Sequence, residues 1–321
     1  MEALDRVLRR VDGAQRRRPA LAFTVAVVRK FGEDQGGQLA ALVAYYAFLS
    51  LFPLVAVAST LLARALPGNP DLREAVLGSA LRNLPLVGEV LQRDAPILEG
   101  SGVALVVAIA LAVWAGLGAV RSLEHAMNAI WNVPYRRRPA FLGNVGRALA
   151  TLASVGVLVL LGAALAGVAR AAGGWTGTVL GWSGSWAVNV AGLLLAYRIL
   201  TSVRLPWRAH LRGAIAAGTA WTGLLAVGAA YVNWQVSGAG RVYGTFALVI
   251  GLLAWLFLAA QVALVGAEIN VVRAARLWPR SLVQPPFTDA DRRALVRYVE
   301  EAARRPEVAV DADVRDAPVS R

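Results

Sequence analysis

The chain has 321 residues, 57% of them hydrophobic and only 17% charged, with a mean hydropathy of +0.55. A soluble domain carries about 25% charged and 45–50% apolar residues. The excess here is gathered into long uncharged runs separated by arginine-rich breaks, which excludes a soluble enzyme and a disordered or collagenous chain. With no cysteine, a disulfide scaffold, thiol nucleophiles, Fe–S clusters and thiolate zinc sites are excluded as well. Lys+Arg 33 against Asp+Glu 20 gives a net charge of +13. On a soluble protein that charge points to nucleic acid. Here the arginines cluster between apolar spans and point to cytoplasmic loops and anionic headgroups, so no nucleic-acid partner is expected.

The expected fold is all-α, a bundle of six spanning helices plus an N-terminal interfacial helix. Residues 1–38 form a basic N-terminal segment. Its apolar run 19–28 is too short to cross a ~30 Å hydrocarbon core. Flanked by Arg16, Arg17, Arg18, Arg29 and Lys30, it reads as a helix lying in the interface. The alternative, a cleaved signal peptide, lacks a small-x-small site after the run. Residues 39–270 hold six uncharged segments of spanning length, about 39–63, 102–120, 148–169, 177–197, 213–235 and 242–267. Each is a continuous apolar run, unlike the alternating ten-residue segments of a barrel. Residues 271–321 form a C-terminal tail, partly disordered toward Asp311, Asp313 and Asp316.

The N-terminal segment, the second and fourth connections and the C-terminal tail together hold 27 basic residues, against 6 in the other three connections. The positive-inside rule then sets both termini in the cytoplasm. In the first outside loop, Asn69-Pro70 has the form of an N-cap followed by proline at the first helical position, opening a helix toward Arg82. The second span is expected to continue as a helix with Leu123, Ala126, Met127, Ile130 and Trp131 on its apolar face. Arg121, Glu124, His125 and Asn128 face elsewhere, and Pro134 stops it. Beyond Pro285-Pro286, Thr288 and Asp291 form a capping-box start for a charged helix through about Arg305.

Polar residues inside spans are costly and are therefore the candidates for function. Tyr46, Ser50 and Pro53 share one face of the first span, and Pro53 leaves the carbonyl of Leu49 open to Ser50 or a neighbouring helix. That face either lines a substrate path or is a packed kink. In the last span Gln261 and Glu268 lie seven apart on one face, followed by Asn270. Glu268 is either a proton or cation site or an interfacial carboxylate paired with Arg121 or Arg198. Asn189, Asn233, Gln235 and Tyr243 are scattered, and Gly177/Gly181 and Gly240/Gly244 suit close helix approach. His125 and His210 lack any metal-ligand spacing, and there is no P-loop or GxSxG. No enzymatic activity, cofactor or metal site is expected.

Phe31-Gly-Glu-Asp34 followed by Gln38 through Tyr45-Tyr46, Ser50 and Pro53 resembles the opening signature of the YihY/virulence factor BrkB family. Asn128-Ala-Ile-Trp131-Asn-Val-Pro134, Tyr197-Arg198 with Val203-Arg-Leu-Pro-Trp-Arg208, and Gly266-Ala-Glu268-Ile-Asn270 are similar to three further stretches of it, in the same order. Thr201 stands where the family often has proline. The resemblance implies a six-span bacterial inner-membrane protein linked to envelope integrity and virulence. It also implies that an old ribonuclease label on some members is a misassignment, and it supplies no catalytic residue. Two function classes follow as expectations: a transporter-like or lipid-handling permease, with membrane lipids and a small-molecule or lipid substrate as partners, and an envelope scaffold that binds a protein partner.

Overall fold

The structure, a computed structural model, describes residues 2–66, 68–72, 74, 76, 102–138, 141–236, 244–284, 286–305, 307 and 314. Among the described residues there is no strand, and nine α-helices follow one another: α1 (Glu2–Arg16), α2 (Pro19–Glu33), α3 (Gly36–Ala65), α4 (Gly102–Ile130), α5 (Phe141–Ala172), α6 (Gly174–Leu200), α7 (Trp207–Val236), α8 (Gly244–Ala274) and α9 (Asp289–Glu301). The six long helices, of 27 to 32 residues, overlap the six segments expected to span. Three stretches among the described residues, Gly36–Ala65, Gly174–Leu200 and Val249–Ala274, are long and apolar enough to cross a bilayer.

Helix α8 is the centre of the bundle. It packs against α3 and α7 along its length, α2 lies across it, and α5 pairs with α6 further out. Leu252, Trp255, Ala259, Leu264, Ala267 and Val271, with Ala260 beside them, fall at helical spacing on its buried side, which gives it a wide apolar face for these neighbours. The core gathers Ala26 and Val27 of α2, Met127 and Ile130 of α4, Leu200 of α6, and Leu264 and Val271 of α8. Outward-facing positions are also apolar: Trp114 is 67% exposed, Trp175 79% and Val227 67%. A soluble monomer rarely shows so extended an apolar surface, whereas lipid tails solvate it.

Helix α2 begins with proline in its first turn, where the missing N–H costs nothing. One of its faces is buried through Ala22, Ala26, Val27 and Lys30, while Val28 remains 67% exposed on the other. Helix α7 approaches α8 most closely at Gly213 and Gly266. A methyl group at Gly213 would overlap the Gly266 carbonyl oxygen and come within 2.5 Å of Asn270 Nδ2. A Cβ at Gly177 would overlap the Ala169 carbonyl, so that glycine serves the α5–α6 turn.

Several helix ends depart from the sequence-based expectation. Helix α4 stops at Ile130, before Pro134, because Asn132 adopts a left-handed φ of 49°. Val133 N then donates to Asn128 O at 2.9 Å and Asn132 N to Ala129 O at 2.8 Å, a Schellman closure. Helix α8 closes the same way with Arg276 at φ 53°, where Leu277 N donates to Val272 O. Glu124 and Asn128, expected to face away from the core, are buried. The reason is that Glu124 meets Arg147 at 3.0 Å and Asn128 Oδ1 accepts from Ser202 N at 3.2 Å. Thr288 and Asp291 form the capping box, and Asn69 Oδ1 accepts from Leu72 N at 3.2 Å as an N-cap. The continuation of that helix to Arg82, Gly240, Tyr243, the side chains of Asn233 and Gln235, and the tail at Asp311, Asp313 and Asp316 lie outside the described residues.

Candidate functional site

The apolar stripe of α2 ends in Lys30, so the periodicity that buries Ala22 and Ala26 also carries one ammonium into the bundle. Lys30 is fully buried and donates to the Ile130 carbonyl at the end of α4, 2.9 Å away. Its Nζ lies 2.5 Å from Asp34 Oδ2 and 3.7 Å from Glu268 Oε2 of α8, and all three side chains are at most 2% exposed. The 3.7 Å contact is a charge–charge approach, longer than a hydrogen bond. Both oxygens of Glu268 and the Oδ1 of Asp34 are buried without a hydrogen-bond partner. One cation thus faces two carboxylates in the protein interior.

Helix α9 closes this end of the bundle. The Tyr298 ring lies 5.5 Å from Lys30 Nζ, and its hydroxyl donates to Glu33 Oε2 at 3.2 Å. Burial first, then the neighbouring Asp34 and Glu33, hold that hydroxyl above the usual tyrosine range, so it remains a donor. Arg297 donates to Trp131 O at 2.9 Å, and Glu301 accepts from Asn132 Nδ2 at 2.9 Å and Arg138 Nη2 at 2.8 Å.

A second buried pair ties α9 to α1 and α2. Arg280, 1% exposed, donates from Nε to Asp291 Oδ1 at 2.7 Å and from Nη2 to Glu33 Oε1 at 2.8 Å. Burial opposes ionisation of Asp291, but hydrogen bonds from Ser281, Arg280 and Thr288 outweigh it and hold the carboxyl well below the usual range. Gln15 donates to Arg280 O at 2.8 Å, and Asp12 accepts from Leu282 N at 2.8 Å. The segment after α8 is therefore docked onto the bundle.

The residues singled out from the sequence fall in separate places. Tyr46 packs over Gly118 of α4, where a Cβ would come within 2.8 Å of its ring. Ser50 is buried and donates to the Ala47 carbonyl at 2.9 Å, not to Leu49, and Pro53 sits half-buried inside an unbroken α3. Gln261 is half-buried on α8. Asn270 is buried and accepts from Gly213 N at 2.8 Å through Oδ1, so it faces α7 while Glu268 faces α2. Asn189 donates to Thr222 Oγ1 at 3.4 Å. The cation beside Glu268 is Lys30 and not Arg121 or Arg198, both of which are exposed. His210 is buried, edge-on to the Trp131 ring at 5.6 Å.

Sequence reasoning missed Lys30 and Asp34 as partners of Glu268, and Arg280 and Asp291 as a buried pair. One signal was available: Lys30 is the only lysine in a chain with 33 basic residues. Among the described residues, no group of three or more histidines, aspartates and glutamates could hold a metal ion.

A family model described as virulence factor BrkB matches residues 27–289. A UPF0761 membrane protein of Alkalilimnicola ehrlichii is 30% identical over 81% of this chain, which spans 60% of that relative's length. One from Photobacterium profundum is 23% identical over 93% of this chain and 96% of its own. An uncharacterised Dickeya dadantii protein is 24% identical over 48% of the chain. No solved structure matches. The matched region runs from the α2 stripe that carries Lys30 to the start of α9, and the chain is a membrane protein belonging to the virulence factor BrkB family.

Proposed function

We propose that this protein crosses the bacterial plasma membrane six times with both termini in the cytoplasm. It works as a non-enzymatic permease, transporter-like or lipid-handling, with Lys30, Asp34 and Glu268 as its proton- or cation-binding site. Six long helices and the asymmetry of basic residues support the topology. The observation that carries the function is the fully buried triad, in which three carboxylate oxygens have no donor. With every group ionised it holds one positive and two negative charges, and an uncompensated charge in a dry site costs several kcal/mol. One proton, or one monovalent cation, brings these three side chains to zero net charge, and the Arg297 guanidinium of α9 also acts on Asp34.

The triad joins α2 to the central helix α8. Its occupancy therefore changes how firmly Lys30 holds the two together, which is what a coupling site must do. Lipids are the favoured substrate because the bundle offers a long apolar wall and a cationic end.

The test is reconstitution into vesicles of phosphatidylethanolamine and phosphatidylglycerol containing a trace of headgroup-labelled phosphatidylglycerol. Dithionite quenching reports the fraction of label in the outer leaflet. Protein-dependent quenching beyond the outer-leaflet share, lost in Glu268→Gln, is the expected result. Equal, background quenching in both samples transfers weight to the scaffold reading. That reading is favoured by one observation: Tyr46 and Ser50 are engaged in packing and local bonds.

A further inference from the structure

At the same end of the bundle, between the start of α7 and the end of α8, lies a cavity of about 350 Å³. It is lined by Arg208, Ala209, Arg212, Asn270, Arg273 and Ala274. Three of the six lining residues are arginines and none is acidic. Arg208 and Arg212 stand one turn apart in the first two turns of α7, whose first turn holds no acidic residue. The N-terminus of a helix carries roughly half a positive charge from its aligned peptides, so arginines there are repelled by their own helix. Such an arrangement is relieved by an anion.

Asn270 supplies the independent observation. Gly213 N–H is a donor, so the side-chain oxygen of Asn270 must face it, at 2.8 Å. That fixes which end of the amide is the acceptor and leaves Nδ2 as its donor end. This N–H₂ group is buried and has no hydrogen-bond partner, in a residue only 1% exposed that lines the cavity. Glycine at 213 leaves room for it, since a Cβ there would come within 2.5 Å of Nδ2. A buried amide donor without an acceptor is destabilising, and the residue that carries it lines the cavity together with three arginines.

We infer that this cavity is a binding site for a phosphate group. Two guanidinium forks suit its oxygens bidentately, and Asn270 Nδ2 donates to a further oxygen from the buried side. The position at the ends of two long helices makes an anionic phospholipid headgroup one source and free phosphate the other. The site deepens the lipid-handling reading by naming the substrate's headgroup chemistry. It is tested by binding alone, so either idea can fail without the other.

The experiment uses the full chain purified in mild detergent, with native mass spectrometry during titration of phosphatidylglycerol and ³¹P line widths during titration of inorganic phosphate. Arg212→Gln/Arg273→Gln removes two exposed cations. Asn270→Asp keeps an acceptor for Gly213 but replaces the free donor with an oxygen. Arg17→Gln/Arg18→Gln, on the exposed side of the N-terminal segment, removes equal charge elsewhere. The expected result is retention of phosphatidylglycerol by wild type and by the Arg17/Arg18 variant, weakened roughly ten-fold or more in the other two. Failure of inorganic phosphate to compete marks a lipid headgroup. Competition, with ³¹P broadening lost in the same two variants, marks free phosphate. Equal retention in all four proteins and no phosphate binding in any of them overturns the site.

Discussion

Replacing Lys30 by methionine probes the buried triad directly. At an effective dielectric of about 20, charges 3.7 Å apart attract by about 4 kcal/mol. Desolvating a carboxylate costs several kcal/mol, so the Lys30–Glu268 contact is close to break-even. The Lys30–Asp34 pair, at 2.5 Å, attracts by about 7 kcal/mol on the same scale, and Lys30 also satisfies the Ile130 carbonyl. Lys30→Met leaves two buried carboxylates facing each other and is expected to cost about 3–5 kcal/mol. Proton uptake limits the loss to that range. Glu268→Gln, which removes an acid with no donor, is expected to lie within about 1 kcal/mol of wild type. In the double variant only Asp34 remains charged, so it recovers about 0.5–3 kcal/mol relative to Lys30→Met. The assay is unfolding in mixed micelles with rising denaturing detergent, followed by tryptophan fluorescence. If Glu268→Gln alone is as damaging as Lys30→Met, and the two losses add, Glu268 is a satisfied structural partner and the exchangeable-site argument fails.

Three other outcomes are expected. Gly213→Ala forces α7 away from the Gly266 carbonyl and Asn270 and should cost about 1–3 kcal/mol. Gly223→Ala in the same helix meets nothing within 4 Å and should be neutral or gain up to about 1 kcal/mol; comparison of their melting temperatures in one detergent checks both. The carboxyl of Asp291 is depressed in the fold, so the stability it contributes is full above the ordinary aspartate value of ~3.9 and is lost as pH falls through its folded value. Asp291→Asn should therefore lower stability at neutral pH and flatten the acid limb of the melting-temperature profile. Tyr298→Phe removes the bond to Glu33 and should cost about 1 kcal/mol, read as faster protease cleavage of α9.

The helices and several of their ends were legible because they are local. Apolar runs mark the long helices, and Thr288 with Asp291 announces its capping box three residues apart. Glu268 was legible as a costly acid in an apolar run. Its partner was not, because Lys30 reads as one of several flanking cations until α2 folds across α8. The same holds for Arg280. Its two carboxylate partners come from α2 and α9, and no spacing within the segment after α8 encodes them. The arrest of α4 at Ile130 was misread because proline is a visible breaker, whereas asparagine adopts a left-handed turn only in context.

The distribution of cost across the fold makes its own argument. Residues Gln35, Asn132 and Arg276, all non-glycine, adopt left-handed φ, at about 1–3 kcal/mol each. Gln35 follows Asp34, Asn132 holds Glu301, and the Arg276 carbonyl accepts from Arg293 of α9 at 2.7 Å. Strained backbone, unpaired carboxylate oxygens and the buried arginine pair therefore meet where α2, α4, α8 and α9 join. Along the rest of the bundle, helices touch mostly through small and apolar side chains, with single hydrogen bonds such as Asn189 to Thr222 and Tyr197 to the Ala263 carbonyl. An apolar core of equal volume would stabilise that junction at lower cost. Polar groups and strain kept together at one end, and held by a docked helix outside the apolar spans, are what the proposed proton- or cation-binding site requires: a neighbourhood near balance, in which one proton or one cation would alter which helices hold one another.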